Sequence, residues 1–290
     1  MRFLSSTRSF VFFGEDVFSL IVLKSLVDSR LGLLPLAVVV LAPISVSGVR
    51  LTVFCKDRGI PFICTQSVRS AEFLARISEM EIDLMVSAHF QRLLPASIFT
   101  RAKLGALNLH PSLLPRYRGM SPQHWPIIFG DAETGVTVHR IEEGVDTGRI
   151  LRQAQIPLEP GMYIHQLQRK FLDVYRTLMV EAVELAIAGE PGVLQSSEGT
   201  SYFHKIGEED MEITHDAGVE LAGNMVRAFS FLYAGARYGI VRIMKAVQVH
   251  DTIWIGLRDA NAKIGIAVHG DQRYLVLKDG ALELTKWRNT

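Results

Sequence analysis

Short apolar runs recur through the first half of the chain at Phe10–Phe13, Leu36–Leu41, Pro61–Cys64, Leu84–Ser87 and Ala106–His110, and each predicts a strand. Between them Val17–Ser29, Val49–Arg58 and Ser70–Met80 carry helical spacing. Strands that are apolar at nearly every position suit a parallel sheet covered on both faces, so the alternation predicts a doubly wound α/β domain. Gly135–Ile141 and Ile150–Ile156 predict two later strands, and Tyr163–Ala188, free of Pro and Gly, one long helix. Ala188-Gly-Glu-Pro-Gly192 stops that helix and the polar stretch Gln195–Ser201 reads as a linker. The grammar then changes. Thr214–Phe229 predicts a helix capped by Thr214 or Asp216, with Leu221, Met225 and Phe229 on one face. Five close-spaced strands follow at 240–249, 252–257, 263–268, 273–277 and 281–286, with Asp279-Gly280 as a hairpin turn, which predicts a small antiparallel barrel. The expected division is 1–190, a linker over 191–204, and 205–290.

Composition narrows the function classes. The chain has 290 residues, with 31 basic and 30 acidic side chains, which excludes a strongly basic nucleic-acid coat or an acidic tail. Its two cysteines, Cys55 and Cys64, cannot build a disulfide framework, and a reduced cytoplasm is the expected location. Leu31–Val49 lacks charge over a length that could span a membrane, but Pro35, Pro43 and Gly48 interrupt it, so it reads as a buried strand between loops. Met1–Ser9, with Arg2 and Arg8 among serines, is a faint transit-peptide signal; its apolar continuation stops too soon for a secretory leader, and the chain reads as unprocessed.

The first β-to-α turn, Phe13-Gly14-Glu15-Asp16, has one glycine where a dinucleotide fingerprint needs three, and two carboxylates where phosphates would sit. No P-loop and no His-Glu-x-x-His pair are present. The densest signal is Ala106-Leu-Asn-Leu-His-Pro-Ser-Leu-Leu-Pro-Arg-Tyr-Arg-Gly119. On a strand, Asn108 and His110 project from one face, and Pro111 ends the ladder, placing the pair at the carboxyl end where open α/β sheets keep their crevice. An amide beside an imidazole can hold a developing oxyanion. Asp146, in the glycine-bounded loop Glu142–Gly148, is the carboxylate that can orient the imidazole. From residue types alone, a satisfied structural histidine and a solvated acidic loop account for the same residues.

Asn108-x-His110, the run from Pro111 to Gly119, and Gly135-Val-Thr-Val-His-Arg-Ile-Glu-Glu-Gly-Val-Asp-Thr-Gly148 resemble the folate-dependent formyltransferases. The resemblance extends to Phe12-Phe13-Gly14 and to Asn224–Phe229. It implies a Rossmann-like, mostly parallel sheet flanked by helices with a smaller C-terminal β-barrel (OB-like) domain. It also implies catalytic roles for Asn108, His110 and Asp146, with 10-formyltetrahydrofolate as donor and no metal. The pteridine would lie between the 87–94 segment, contributing Ala88, Phe90 and Leu94, and the loop of Glu142, Glu143 and Val145, with Val138 also clasping it. His89-Phe90 stands where the tRNA enzymes of this family often carry Tyr-Gly. Ser112, Arg116 and Trp125 are acceptor-side candidates, with a turn cap, a surface charge and a core ring as their bland readings.

The acceptor is read from charge. Residues 201–290 hold 11 basic and 11 acidic side chains, and 42–50, where family members acting on tRNA carry a basic insertion, has only Arg50. A phosphate-dominated partner calls for a basic face. The expected acceptor is therefore a small amine, and Trp125 and His139, which resemble those of the family's amino-sugar enzymes, put a nucleotide-linked amino sugar foremost. Initiator methionyl-tRNA is the alternative, to be rescued only by clustering of Arg237, Arg242 and Lys245. A folate-binding protein without transfer, or a hydrolase releasing formate, is the reading from another class. No membrane partner is expected.

Overall fold

The computed structural model describes residues 7–230, 235–239, 241–259 and 263–289. Ile240, with which one expected strand begins, and residues 1–6 of the arginine-bearing N-terminus lie outside the described residues. The chain divides into two compact units, one made of 1–119, 135–155 and 170–202, the other of 120–134, 156–169 and 203–290.

In chain order the first unit opens with β1 (Arg8–Phe13), α1 (Val17–Val27), β2 (Leu33–Leu41), α2 (Val46–Asp57), β3 (Phe62–Thr65), α3 (Ala71–Ser78), β4 (Leu84–Ala88), α4 (Ala96–Phe99) and β5 (Ala106–His110). The chain continues through β6 (Arg118–Gly119), α5 (Trp125–Ile128), β7 (Glu133–Arg140), β8 (Ile150–Pro157), α6 (Ile164–Ile187) and β9 (Tyr202–Phe203). Seven strands form one sheet in the order β3-β2-β1-β4-β5-β7-β8, parallel from β3 to β5. Phe10–Phe13 and Leu84–Val86 are fully buried, as strands covered on both faces must be. The stretch weighed as a membrane span is β2 and the start of α2. Among the described residues no helix is long and apolar enough to cross a membrane.

Local chemistry starts the helices. Asp16 and Ser19 form a capping box at α1, while Ser45 and Ser70 accept the N–H groups of Gly48 and Phe73 at α2 and α3. The strand order reverses between β1 and β4, which opens a crevice at their carboxyl ends.

β7 enters beside β5 antiparallel, with Asn108 opposite His139 and His110 opposite Thr137. Two contacts hold this register. The Thr137 hydroxyl donates to Ser112 O at 2.7 Å and accepts from Leu114 N–H and Gln153 Nε2. Gly135 passes so close to β8 that a Cβ would come within 2.2 Å of Ala154 O.

The second unit contains α7 (Val219–Phe229), β10 (Ala236–Tyr238), β11 (Val241–Gln248), α8 (Asp251–Asp259), β12 (Gly265–His269), β13 (Gln272–Leu277) and β14 (Gly280–Asn289). Its strands form an antiparallel sheet in the order β10-β11-β14-β13-β12, a half-barrel that matches the expected smaller barrel-like domain.

Three local expectations need correction. Residues 252–257 are helical, not a strand: Trp254 and Leu257 pack on Tyr274 and Val276, and Arg258 stacks on Trp254 one turn away. The β-branched Thr252, Ile253 and Ile255 gave the false strand signal. Helix α7 starts at Val219 rather than at Thr214 or Asp216, whose side chains bond each other in the preceding turn, and Leu221 is exposed. The hairpin turn is Lys278-Asp279, because Gly280 already pairs with Leu277. Asp279 instead accepts from the Val219 N–H at 2.8 Å, capping α7 from a distance, and Gly280 leaves room for Val219, which a Cβ would meet at 2.9 Å. Asp279→Ala is expected to destabilise the protein by about 1 kcal/mol, the usual worth of a helix N-terminal acceptor, as read from urea unfolding.

Candidate active site

Asn108 and His110 lie two apart on β5 and share a face, and Pro111 ends the strand there. The antiparallel register puts His139 on the same face, directly across from Asn108. After β7 the chain turns through Glu142–Gly144 and presents Asp146 in the left-handed region, at φ +52. All four side chains belong to the first unit.

Their hydrogen bonds define their states. His110 Nε2–H donates to Tyr117 O at 2.7 Å, which turns Nδ1 toward Asp146 Oδ2 at 3.5 Å. His139 Nδ1–H donates to Arg140 O at 2.8 Å. Its Nε2 therefore faces Asn108 Nδ2 at 3.2 Å and Asp146 Oδ1 at 3.5 Å. With a lone pair there, His139 accepts from the Asn108 amide; with a proton, it donates to Asp146. The Gly119 N–H donates to Asp146 Oδ2 at 2.8 Å. The short β6 segment thus supplies an acceptor for His110 just before it and a donor for Asp146 at its end.

The electrostatics follow from burial. His110 and His139 side chains are 5% and 3% exposed, and Asp146 13%. Burial pushes the His110 imidazole below its ordinary range, against the opposing pull of Asp146 and the Tyr117 carbonyl. Burial alone would raise the Asp146 carboxyl, but the neighbouring imidazoles of His110 and His139 and the Gly119 N–H outweigh it. Asp146 sits well below the usual carboxylate range and stays ionised.

The remaining residues singled out from the sequence fall in several places. Ala88 ends β4, buried, and Phe90 meets Phe13 edge-on at 5.4 Å. Leu94 is buried in the core below that wall. Glu142 and Glu143 are exposed and Val145 half-buried on the Asp146 loop. Val138 pairs with Leu109, so it points to the opposite face from His110 and is not brought together with the others. Ser112 is fully buried and donates to Arg116 O at 2.7 Å, capping its own turn, while Arg116 is exposed and lies over the Tyr117 ring. Trp125 belongs to the second unit, where it is buried against Phe129 and Phe203 and donates to Met120 O.

A second polar cluster stands at the neighbouring strand end. His89, at φ +52, holds Asp16 Oδ2 through Nδ1 at 3.1 Å and Tyr175 OH through Nε2 at 2.9 Å, and its ring stacks on Phe18. Sequence reasoning missed this cluster, the place of His139 in the site, and the backbone clamp at 117–119. His139 alone left a signal: the alternation of β7 shares a face among Thr137 and His139, but only the register shows that this face meets Asn108.

Residues 51–183 match the protein family described as formyl transferase. The chain is 31% identical over 237 residues to methionyl-tRNA formyltransferase of Syntrophus aciditrophicus, covering 79% of this chain and 76% of that protein. It is 34% identical over 198 residues to methionyl-tRNA formyltransferase of Delftia acidovorans, where it spans 58% of the relative's length. Among solved structures it resembles an N-formyltransferase from Helicobacter canadensis in complex with folinic acid and dTDP-3-aminofucose. That match has a TM-score of 0.72 and 20% identity, over 97% of this chain and all of the other.

The shifted groups set a pH dependence. His110, and the buried His124 held at about 4 in the second unit, resist protonation more than they do unfolded, so stability falls as pH drops below about 6.5. Asp146 is depressed, so its contribution is complete above about pH 4 and is lost as pH falls further. Urea unfolding between pH 3 and 8 is expected to show both steps. A combined His110→Gln and His124→Gln variant should lose the upper one and Asp146→Asn the lower.

Proposed function

The chain belongs to the folate-dependent formyltransferase family and is a formyltransferase enzyme, and from that premise we propose that it transfers the formyl group of 10-formyltetrahydrofolate to a small primary amine. The amine of a nucleotide-linked sugar is the acceptor class favoured. The observation that carries the reading is the convergence of Asn108, His110 and Asp146 on one face at the carboxyl end of β5.

In this reading the neutral amine attacks the formyl carbon, the carbonyl oxygen gains the negative charge, and the bond to the donor's N10 then breaks. One N–H of Asn108 is shared with His139, leaving the other to donate to the oxyanion. His110, kept neutral by burial at rest, becomes more basic as that negative charge develops. The His110–Asp146 couple takes the proton released by the amine and returns it to N10, so its titration belongs to the pair rather than to one residue. Asp146, ionised throughout, stabilises the imidazolium. Ala88, Phe90 and Leu94 on one side and the backbone of Glu142–Val145 on the other are the walls proposed for the pteridine. Arg116, exposed on the turn that follows β5, is the proposed contact for the acceptor's phosphates.

A specific structural feature favours a small acceptor. The two arginines of the candidate basic patch on the second unit are spent within it: Arg237 pairs with Glu208 and Glu212, and Arg242 with Glu208. The complex of the Helicobacter canadensis neighbour with dTDP-3-aminofucose supports the same choice. The methionyl-tRNA formyltransferase relatives favour initiator tRNA as the second reading.

Asn108→Ala, His110→Ala and Asp146→Ala are each expected to lower turnover by about 100-fold or more while retaining the fold, the scale set by loss of an oxyanion donor. Wild-type turnover in a folded His110→Ala variant would remove the mechanism. For the acceptor, formyl transfer to nucleotide-linked 3-amino and 4-amino sugars is compared with transfer to charged initiator tRNA across a salt series. Sugars should be formylated with little salt dependence; efficient and steeply salt-sensitive formylation of the tRNA would select the second reading.

A further inference from the structure

We propose that Gln195, in the stretch that follows α6, is a positioning residue that holds Asp146 in its reactive geometry. This rests on the role given to Asp146 above. The backbone of Asp146 lies at φ +52, a region that side chains bearing a Cβ rarely adopt, so its surroundings must hold it there.

The Gln195 amide makes that hold. Its Nε2 donates to Asp146 O at 2.8 Å and to Gly148 O at 2.7 Å, bracketing the turn from both sides. Its Oε1 accepts from Arg118 Nε at 3.1 Å and Nη2 at 2.6 Å. Arg118 is buried in turn: Nη1 donates to Tyr202 OH at 2.8 Å and the guanidinium lies over the Tyr202 ring. This arrangement fixes which end of the amide faces which partner. Two carbonyls demand donors on one side and a guanidinium demands an acceptor on the other, and only an amide supplies both.

Arg118 also precedes Gly119, whose N–H holds the Asp146 carboxylate. The two residues of β6 therefore grip Asp146 at both ends: Gly119 directly on the side chain, and Arg118 through Gln195 on the main chain.

The stretch carrying Gln195 is fixed without it. Ile150 and Val193 exchange two backbone hydrogen bonds of 2.8 Å, and Arg149 Nη1 donates to Gly192 O. Gly192, at φ +83, approaches Ile150 O so closely that a Cβ would sit 2.8 Å away. Changing the Gln195 side chain thus tests the grip on Asp146 rather than the path of the chain.

The test uses Gln195→Glu, Gln195→Ala, Asp146→Asn and the double variant Asp146→Asn with Gln195→Glu. Glutamate keeps the shape and the Arg118 partner but turns a carboxylate oxygen toward the two carbonyls. We expect kcat to fall about 10- to 100-fold in Gln195→Glu, with KM for donor and amine changed less than about 3-fold, since small misplacements of a reacting group have effects of this size. The acid limb of its kcat–pH profile should move to lower pH, because a displaced Asp146 pulls less strongly on the buried His110 imidazole. Gln195→Ala should fall in the same direction, and serves if Gln195→Glu does not fold, as judged by circular dichroism.

In the double variant the two losses should not add, because Gln195 acts through Asp146; turnover should match that of Asp146→Asn alone. Wild-type kcat and pH profile in folded Gln195 variants, or fully additive losses in the double variant, would overturn the inference. Undiminished turnover in Asp146→Asn would instead overturn the catalytic reading itself, and so separates the two failures.

Discussion

The site depends on the antiparallel seating of β7 against β5. This pairing places His139 opposite Asn108, and it delivers the chain at the right end of the sheet for Asp146 to meet His110. Strand register has a period of two, so a slip of one residue would turn Thr137 and His139 to the other face and dismantle the cluster. The protein locks the register with polar and steric means together. The Thr137 hydroxyl is saturated by three partners, and Gly135 permits a close pass that any larger residue would block.

Within the cluster, buried charge is balanced rather than avoided. Asp146 keeps its charge because donors and imidazoles surround it, while His110 pays for its burial by resisting a proton at rest. In the reaction proposed for this site, an ionised carboxylate beside a reluctant base suits the passage of a proton from an amine to a leaving nitrogen. The second unit handles charge differently. Arg237 and Arg242 close ion pairs with Glu208 and Glu212, leaving less cationic surface than the count of basic residues suggests.

Much of this architecture could be read from the chain, and the gaps have physical causes. Continuous apolar runs announced the parallel strands, and Asn108 and His110 could be placed on one face because side-chain alternation in a strand is local. The helix over 251–259 was missed because β-branched residues signal a strand, while the packing of Trp254 and Leu257 that decides the matter is tertiary. The family resemblance gives Val138 to the donor pocket, whereas its pairing with Leu109 turns it to the face opposite His110, which only strand register reveals. Gln195 and the carbonyl of Tyr117 left no local signal at all. Their roles arise where chain segments distant in sequence meet, and backbone carbonyls carry no residue identity.

His89 shows how two local demands can oppose each other. Its backbone, at φ +52, suits glycine better than any residue with a Cβ, whereas its imidazole joins Asp16 of the first turn to Tyr175 of α6 and stacks on Phe18. A residue chosen to relax the main chain forfeits those links, and one chosen to preserve them keeps the unfavourable torsion. The position is therefore frustrated in the energetic sense: no natural side chain minimises both contributions, and the histidine is a compromise in which long-range ties outweigh local conformational ease.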